Sequence, residues 1–246
     1  MSDDTKALQN RATDYTVTTL KSALGAVPFV GSALAEIVGT VIPNQRVDRL
    51  ADFAKKLADK VADHEAALIQ KRLLEPEGVD ILEEALWQSA RALTEERRKH
   101  IAALVKNGLT KEQIDLIETK KLLLLLSQLN DLEIVLLRFY SYPGCRPDED
   151  FRKKFGEAIR PVSAWIGAPQ EQLDKHAISE SLKAHLVQLG LLRPSFPFVG
   201  RGELPEFDRH AGGFKSSGHD ITLLGRLLLR TIDFGPHEPT DAKARG

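Results

Sequence analysis

The sequence predicts an all-α protein that ends in a small unit of helices carrying a strand-built wing. Three observations predict it. Apolar residues recur at spacings of three and four through most of the chain between Val47 and Phe139. Proline or glycine punctuates those runs, at Pro43, Pro76, Gly78, Gly108 and Pro143. A stretch rich in Gly, Pro and Phe, from Arg193 to Asp220, then separates two leucine-rich helical patterns. The chain has 246 residues, long enough for one large domain or two small ones. A change of character near 120 divides it into a helical bundle over 1–119 and a second unit over 120–235, with 236–246 expected to be a disordered tail.

Residues 3–22 read as a helix opened by Asp3 and Asp4, with Leu8, Ala12, Tyr15, Val17 and Leu20 as a loose apolar face. Gly25 and Pro28 end it. The segment 23–44, ALGAVPFVGSALAEIVGTVIPN, is the most apolar part of the N-terminal region, and Gly25, Gly31 and Gly39 would permit close helix approach. It reads as a buried helical hairpin whose Val27, Phe29, Val30, Leu34, Ile37 and Val41 form a candidate membrane or partner surface. A constitutive membrane span is disfavoured. Placing the Glu36 carboxylate at a bilayer centre costs about 2.5–3.5 kcal/mol, which its small neighbours barely offset. Conditional insertion is compatible with the pattern.

Next comes an amphipathic pattern expected to be one long helix over 45–75. Val47, Leu50, Ala54, Leu57, Val61, His64 and Leu68 form a heptad-like seam that could pair within the chain or between two chains. A second amphipathic helix is expected from Val79 to Leu93. Thr94, followed by Glu95 and Glu96, should cap a third, which stops at Asn107-Gly108. The mixed charges of Glu95–His100 read as a solvated face rather than a nucleic-acid patch. Thr110 should cap a short helix over 111–116. The five leucines from Leu122 to Leu126 predict a helix buried on all sides, and Asn130 should cap the helix that follows it.

From Leu122 onward the order of features suggests a winged helix. Two helices lead to a polar connector anchored by Phe151, Phe155, Ile159 and Trp165. A helix beginning near Ser179 or Ser181 then closes at Gly190, and the wing and a last helix follow. In the candidate recognition helix only Lys183, His185 and Gln188 could contact DNA or a partner. Residues 120–246 hold 18 Lys and Arg against 16 Asp and Glu, so the basic footprint of a duplex binder is missing. Nucleic acid is therefore an unlikely partner, and packing or protein contact is the expected use of the unit.

Catalytic signatures are lacking as well. The chain has neither a phosphate-cradling glycine loop of the P-loop kind nor a nucleophile elbow, and no zinc-spaced ligands. Asp208, His210, His219 and Asp220 could converge on a metal, but loop histidines are more often solvated. The single cysteine, Cys145, excludes an intrachain disulfide and suits the cytoplasm. Its neighbours Arg138, Arg146 and Arg152 could lower the thiol pKa, yet no paired histidine completes a catalytic pair. The N-terminus lacks a signal-peptide pattern. The residues thus predict a cytoplasmic non-enzyme, without cofactor or metal, that meets a protein partner or a second copy of itself and is able to associate with a membrane on activation.

The order of pieces carries a resemblance. AEIVG (from Ala35) is followed by Arg46 and Arg49 on a helix, then ILEEALWQSA, LNDLEIVLLRFY, HLVQLGLLRP and ITLLGRLLL. This layout resembles the abortive-infection alpha family of bacterial proteins and its relatives of unknown function. The resemblance implies an all-helical cytoplasmic protein with a small winged-helix-like end, associated with defence against phage. It assigns no catalytic residues.

Overall fold

The computed structural model describes residues 46–236 apart from 74, 111–115, 166, 198, 201–203, 205 and 209–212. The helix expected over 3–22, the hairpin over 23–44 with all six of its candidate surface residues, most of the short helix over 111–116, His210 and the tail from 237 lie outside the described residues. The chain divides into two bodies. One comprises the residues through Gln128 with Thr231–Asp233, the other Leu129–Arg230 with Phe234 onward. Among the described residues there are nine α-helices and two antiparallel strand pairs. The mainly helical class is therefore the one adopted, with a little β structure near the C-terminus.

The first body is built from α1 (Val47–Lys60), α2 (Asp63–Arg72), α3 (Pro76–Arg91), α4 (Glu95–Leu109) and α5 (Leu116–Gln128). On α1, Leu50, Phe53, Ala54 and Leu57 follow the i, i+3, i+4, i+7 rule and are all buried. They pack chiefly on α4, whose Ile101, Leu104 and Val105 are fully buried, so this part of the seam closes within the chain. The single helix expected over 45–75 is in fact two. Val61 is extended (φ −86°, ψ 116°), and the Glu65 carboxylate accepts a hydrogen bond from the Ala62 N–H at 3.0 Å, restarting the helix with acidic residues in its first turn. The break also resets the inward face. Ala66 and Ile69 are buried, whereas His64, expected in the seam, is exposed.

Helix α3 starts at Pro76, earlier than the expected Val79, because proline is well suited to a first helical turn. Gly78 is obligatory there, since a Cβ would lie 2.1 Å from the Arg72 carbonyl oxygen. The helix ends at Arg91 and Ala92 is extended, which turns Leu93 out to 82% exposure instead of inward. Thr94 caps α4 as expected by accepting from the Arg97 N–H at 3.2 Å. Of the leucine run on α5, Leu122, Leu123, Leu125 and Leu126 are buried, but Leu124 is exposed. The run belongs to the first body, so the divide falls after Gln128 rather than near 120.

An ion cluster crosses the surface of this bundle. Lys56 lies 2.9 Å from Asp52 and 2.7 Å from Glu95, and Asp52 also pairs with Arg98. Thr231–Asp233 join the same body: Asn107 donates to the Thr231 carbonyl and to Asp233, and Lys60 reaches Asp233 at 2.7 Å.

The second body contains α6 (Asp131–Ser141), a 3₁₀ turn (Pro143–Cys145), α7 (Glu149–Phe155), α8 (Gln170–Gln188), β1 (Leu192–Ser195), β2 (Phe207–Asp208), β3 (Gly213–Phe214), β4 (Gly218–Ile221) and α9 (Leu223–Thr231). β1 pairs with β4 from Leu192 opposite Ile221 to Ser195 opposite Gly218, and the β2–β3 hairpin lies between them in the chain. Helix α8 begins about ten residues before the serines expected to open it. Its first half buries nothing and is supported by polar pairs such as Gln170 with Asp174 and Glu171 with Lys175.

Gly190 (φ +72°) ends α8 in a Schellman motif. Its N–H donates to the Val187 carbonyl and the Leu191 N–H to the Leu186 carbonyl, with Leu186 and Leu191 both buried. Thr222 then caps α9 by accepting from the Gly225 N–H, while its hydroxyl lies 2.7 Å from the Gly190 carbonyl. A Cβ on Gly225 would meet the Leu191 carbonyl at 2.5 Å, so α9 can approach this turn only through glycine. Among the described residues no helix is long and apolar enough to cross a membrane.

Burial works against the charge on Asp52, but hydrogen bonds from Lys56 and Arg98 outweigh it and hold the carboxyl below its usual range. A depressed pKa contributes stability that is present above the unfolded value, about 3.9, and is lost as pH falls through the folded one. Asp52→Asn should therefore lower unfolding stability by about 1–2 kcal/mol at pH 7, and the gap from wild type should narrow towards pH 3. Urea midpoints measured across that range check it.

Candidate functional site

Two surfaces of the second body expose apolar side chains close to one another. The first is a groove of about 940 Å³ between α6, the segment 156–162 and α8. Its position follows from how α6 is fixed. Asn130 accepts from the Glu133 N–H at 2.9 Å and the Glu133 carboxylate accepts from the Asn130 N–H at 2.8 Å, a reciprocal cap. The other oxygen of the same carboxylate, on a residue only 2% exposed, lies 2.7 Å from His185 Nδ1 on α8. One carboxylate thus starts α6 and ties α8 to it.

The turn after α6 sets one end of the groove. Gly144 (φ +59°) and Cys145 (φ +53°) both take left-handed backbone conformations, which for cysteine is uncommon. Tyr142 donates to Asp148 at 2.8 Å, and Asp148 caps α7 through the Phe151 N–H. Arg138 does not face the thiol. Its guanidinium stacks on Phe151 and Phe234, at 5.2 and 4.4 Å from the ring centroids. The expectation that Arg138, Arg146 and Arg152 depress the Cys145 pKa is therefore corrected. Burial first, and the charge of Asp220 second, raise it. Cys145 lines the groove as a small apolar group.

Leu132, Leu136 and Phe139 of α6, with Ile159, Ile178 and Leu182, supply the apolar walls, and Ile178 is 61% exposed. The charged residues that line the groove are all basic: Arg146, Arg152, Arg160, Lys175 and Lys183. Lys175 pairs with Glu171 and Lys183 with Glu180. Among the described residues the three arginines have no carboxylate within ion-pair distance.

The second surface lies around the β2–β3 pair. Phe196, Phe207 and Phe214 stand edge to face, with ring centroids 6.4 Å (196 to 214) and 6.2 Å (207 to 214) apart. All three are about half exposed, and Leu204 is more so.

The three residues predicted to contact DNA or a partner are divided. Lys183 is paired with Glu180 on the groove rim, His185 is held by Glu133, and Gln188 is exposed. His219, from the proposed histidine loop, packs edge-on against Tyr140 at 5.8 Å, and burial lowers its pKa. Among the described residues no group of acidic, histidine or cysteine side chains could hold a metal ion. Sequence reading missed the groove and the phenylalanine cluster. A run of aromatics at 196, 207 and 214 around glycines was the only signal for the latter. Neither a protein-family model, nor a curated protein, nor a solved structure matches this chain.

Cys145 is partly buried, and a thiol with a raised pKa reacts slowly with alkylating agents at neutral pH. Iodoacetamide should modify Cys145 in the folded chain at least about threefold more slowly than free cysteine at pH 7.5, with a rate that is still rising above pH 9. Mass spectrometry across a pH series measures this, and a plateau below pH 8 would contradict it.

Proposed function

We propose that this chain is a non-enzymatic helical protein of bacterial anti-phage defence, of the abortive-infection type. In this reading it acts by contacting a partner protein through its wing, and the apolar segment 23–44 serves as a conditional membrane element. The defence setting comes from the layout that the sequence shares with the abortive-infection alpha family. The observation that carries the mode of action is the cluster of Phe196, Phe207 and Phe214. Three half-exposed phenyl rings, two on the short β2–β3 pair and one just after β1, leave apolar area in water that a partner would cover. Aromatic side chains of this kind dominate the energetics of protein interfaces.

A second reading, a winged-helix DNA-binding regulator, is favoured by one specific observation. Helix α8 leads directly into β1, the β2–β3 hairpin interrupts β1 and β4, and α9 closes the series. That order supports a winged-helix-like description of the second body. The side chains favour it less as a duplex reader, because His185 and Lys183 are engaged with Glu133 and Glu180. Phosphate contacts impose a steep salt dependence. We expect no shift of duplex DNA at low salt in a gel-mobility titration, and a shift that weakens steeply with salt would replace the partner-protein reading by this one.

In cells expressing the chain, plating efficiency of a sensitive phage should fall. The pair Phe207→Ser and Phe214→Ser should lose about tenfold or more of that protection while circular dichroism stays unchanged. Val30→Asp tests the membrane element in the same assay. Full protection by both variants would defeat the proposed mode of action, and a wild-type chain without protection would remove the defence setting.

A further inference from the structure

We infer that the groove between α6 and α8 is a binding site for a free single-chain anionic amphiphile, a long-chain fatty acid or a molecule of that chemistry. Three features lead there. Its volume of about 940 Å³ lies within the range of ligand sites, as does its makeup of mostly apolar walls with a few polar groups. Leu132, Leu136 and Phe139 form one wall and Ile178 and Leu182 the facing one, which suits an extended hydrocarbon chain. The charge is one-sided: no carboxylate lines the groove, whereas five cations do.

Arg146, Arg152 and Arg160 matter most among those cations, since their guanidinium groups have no acidic partner among the described residues. Guanidinium binds carboxylate through two parallel hydrogen bonds, a geometry lysine does not offer. The head group is thus placed by Arg146, Arg152 and Arg160, and the chain runs along the α6 and α8 walls. The Glu133–His185 tie, which joins these two helices, fixes the spacing between the walls before any ligand arrives. The site shares no residue with the phenylalanine cluster of the wing, so the two surfaces stand or fall separately.

The test uses the full chain and cis-parinaric acid, whose fluorescence rises in an apolar site. Saturable binding at micromolar concentration, displaced by palmitate, is expected. Lengthening a saturated competitor from ten to twelve carbons should tighten it roughly tenfold, because each buried methylene adds a nearly constant increment. Arg152→Glu with Arg160→Glu should weaken palmitate at least about tenfold but leave hexadecanol nearly unchanged. Ile178→Asp, at an exposed position that should not disturb folding, should weaken both. Circular dichroism confirms that each variant is folded. No saturable binding would overturn the inference, as would affinities indifferent to both sets of substitutions. Binding only to vesicles of anionic phospholipid, or only to an acidic amphipathic peptide, would equally overturn it.

Discussion

The carboxylate of Glu133 is the contact on which the second body depends. A carboxylate this deeply buried is costly unless its oxygens are hydrogen-bonded, and here each oxygen has a partner from a different element. One takes the backbone of Asn130 and so sets where α6 begins. The other takes the ring of His185 and so sets where α8 lies against it. From α8 the chain turns at Gly190, and α9 closes on that turn through Gly225 and Thr222. The buried leucines Leu137, Leu186, Leu191 and Leu228 fill the space that this frame encloses.

The first body rests on a different kind of constraint. Its core is ordinary helix packing, with α1 seated on α4 through Leu50, Phe53, Ala54 and Leu57. Polar groups are arranged around it. Asp52, Lys56, Glu95 and Arg98 tie α1 to α4 across the surface, and Glu65 both restarts α2 and reaches Lys106 of α4 at 2.7 Å. Among these, Asp52, which two cations hold at once, contributes most, and the single partly exposed pairs contribute little individually; together they fix which helix meets which.

Much of this was legible from residue spacing. Thr94, Asn130 and Gly190 announced helix ends because their chemistry is local, and the structure uses each of them for that purpose. The break at Val61 was not legible. The heptad spacing continues through it, and what decides is a carboxylate capping from Glu65 together with its Lys106 partner far along the chain. The early start of α8 was hidden for a similar reason, as Leu173 and Ile178 are isolated apolar residues on an otherwise polar half-helix. The groove was least visible of all. Its walls come from three separate stretches; Ile159 stood out in sequence only as an anchor of the polar connector, Trp165 of the same set is exposed, and Ile178 carried no signal at all.

The path of the chain between the two bodies has a consequence for dissecting it. The first body is not a contiguous stretch, because Thr231–Asp233 return to it before the chain resumes the second body at Phe234. The two bodies are thus interleaved along the chain, and neither is a simple appendage of the other. A fragment that stops at Gln128 would strip Lys60 and Asn107 of Asp233 and leave the amide of Asn107 without the Thr231 carbonyl. Proteolytic separation of the two bodies would therefore require three cuts, after Gln128, Arg230 and Asp233, and no single fragment boundary isolates the helical bundle whole.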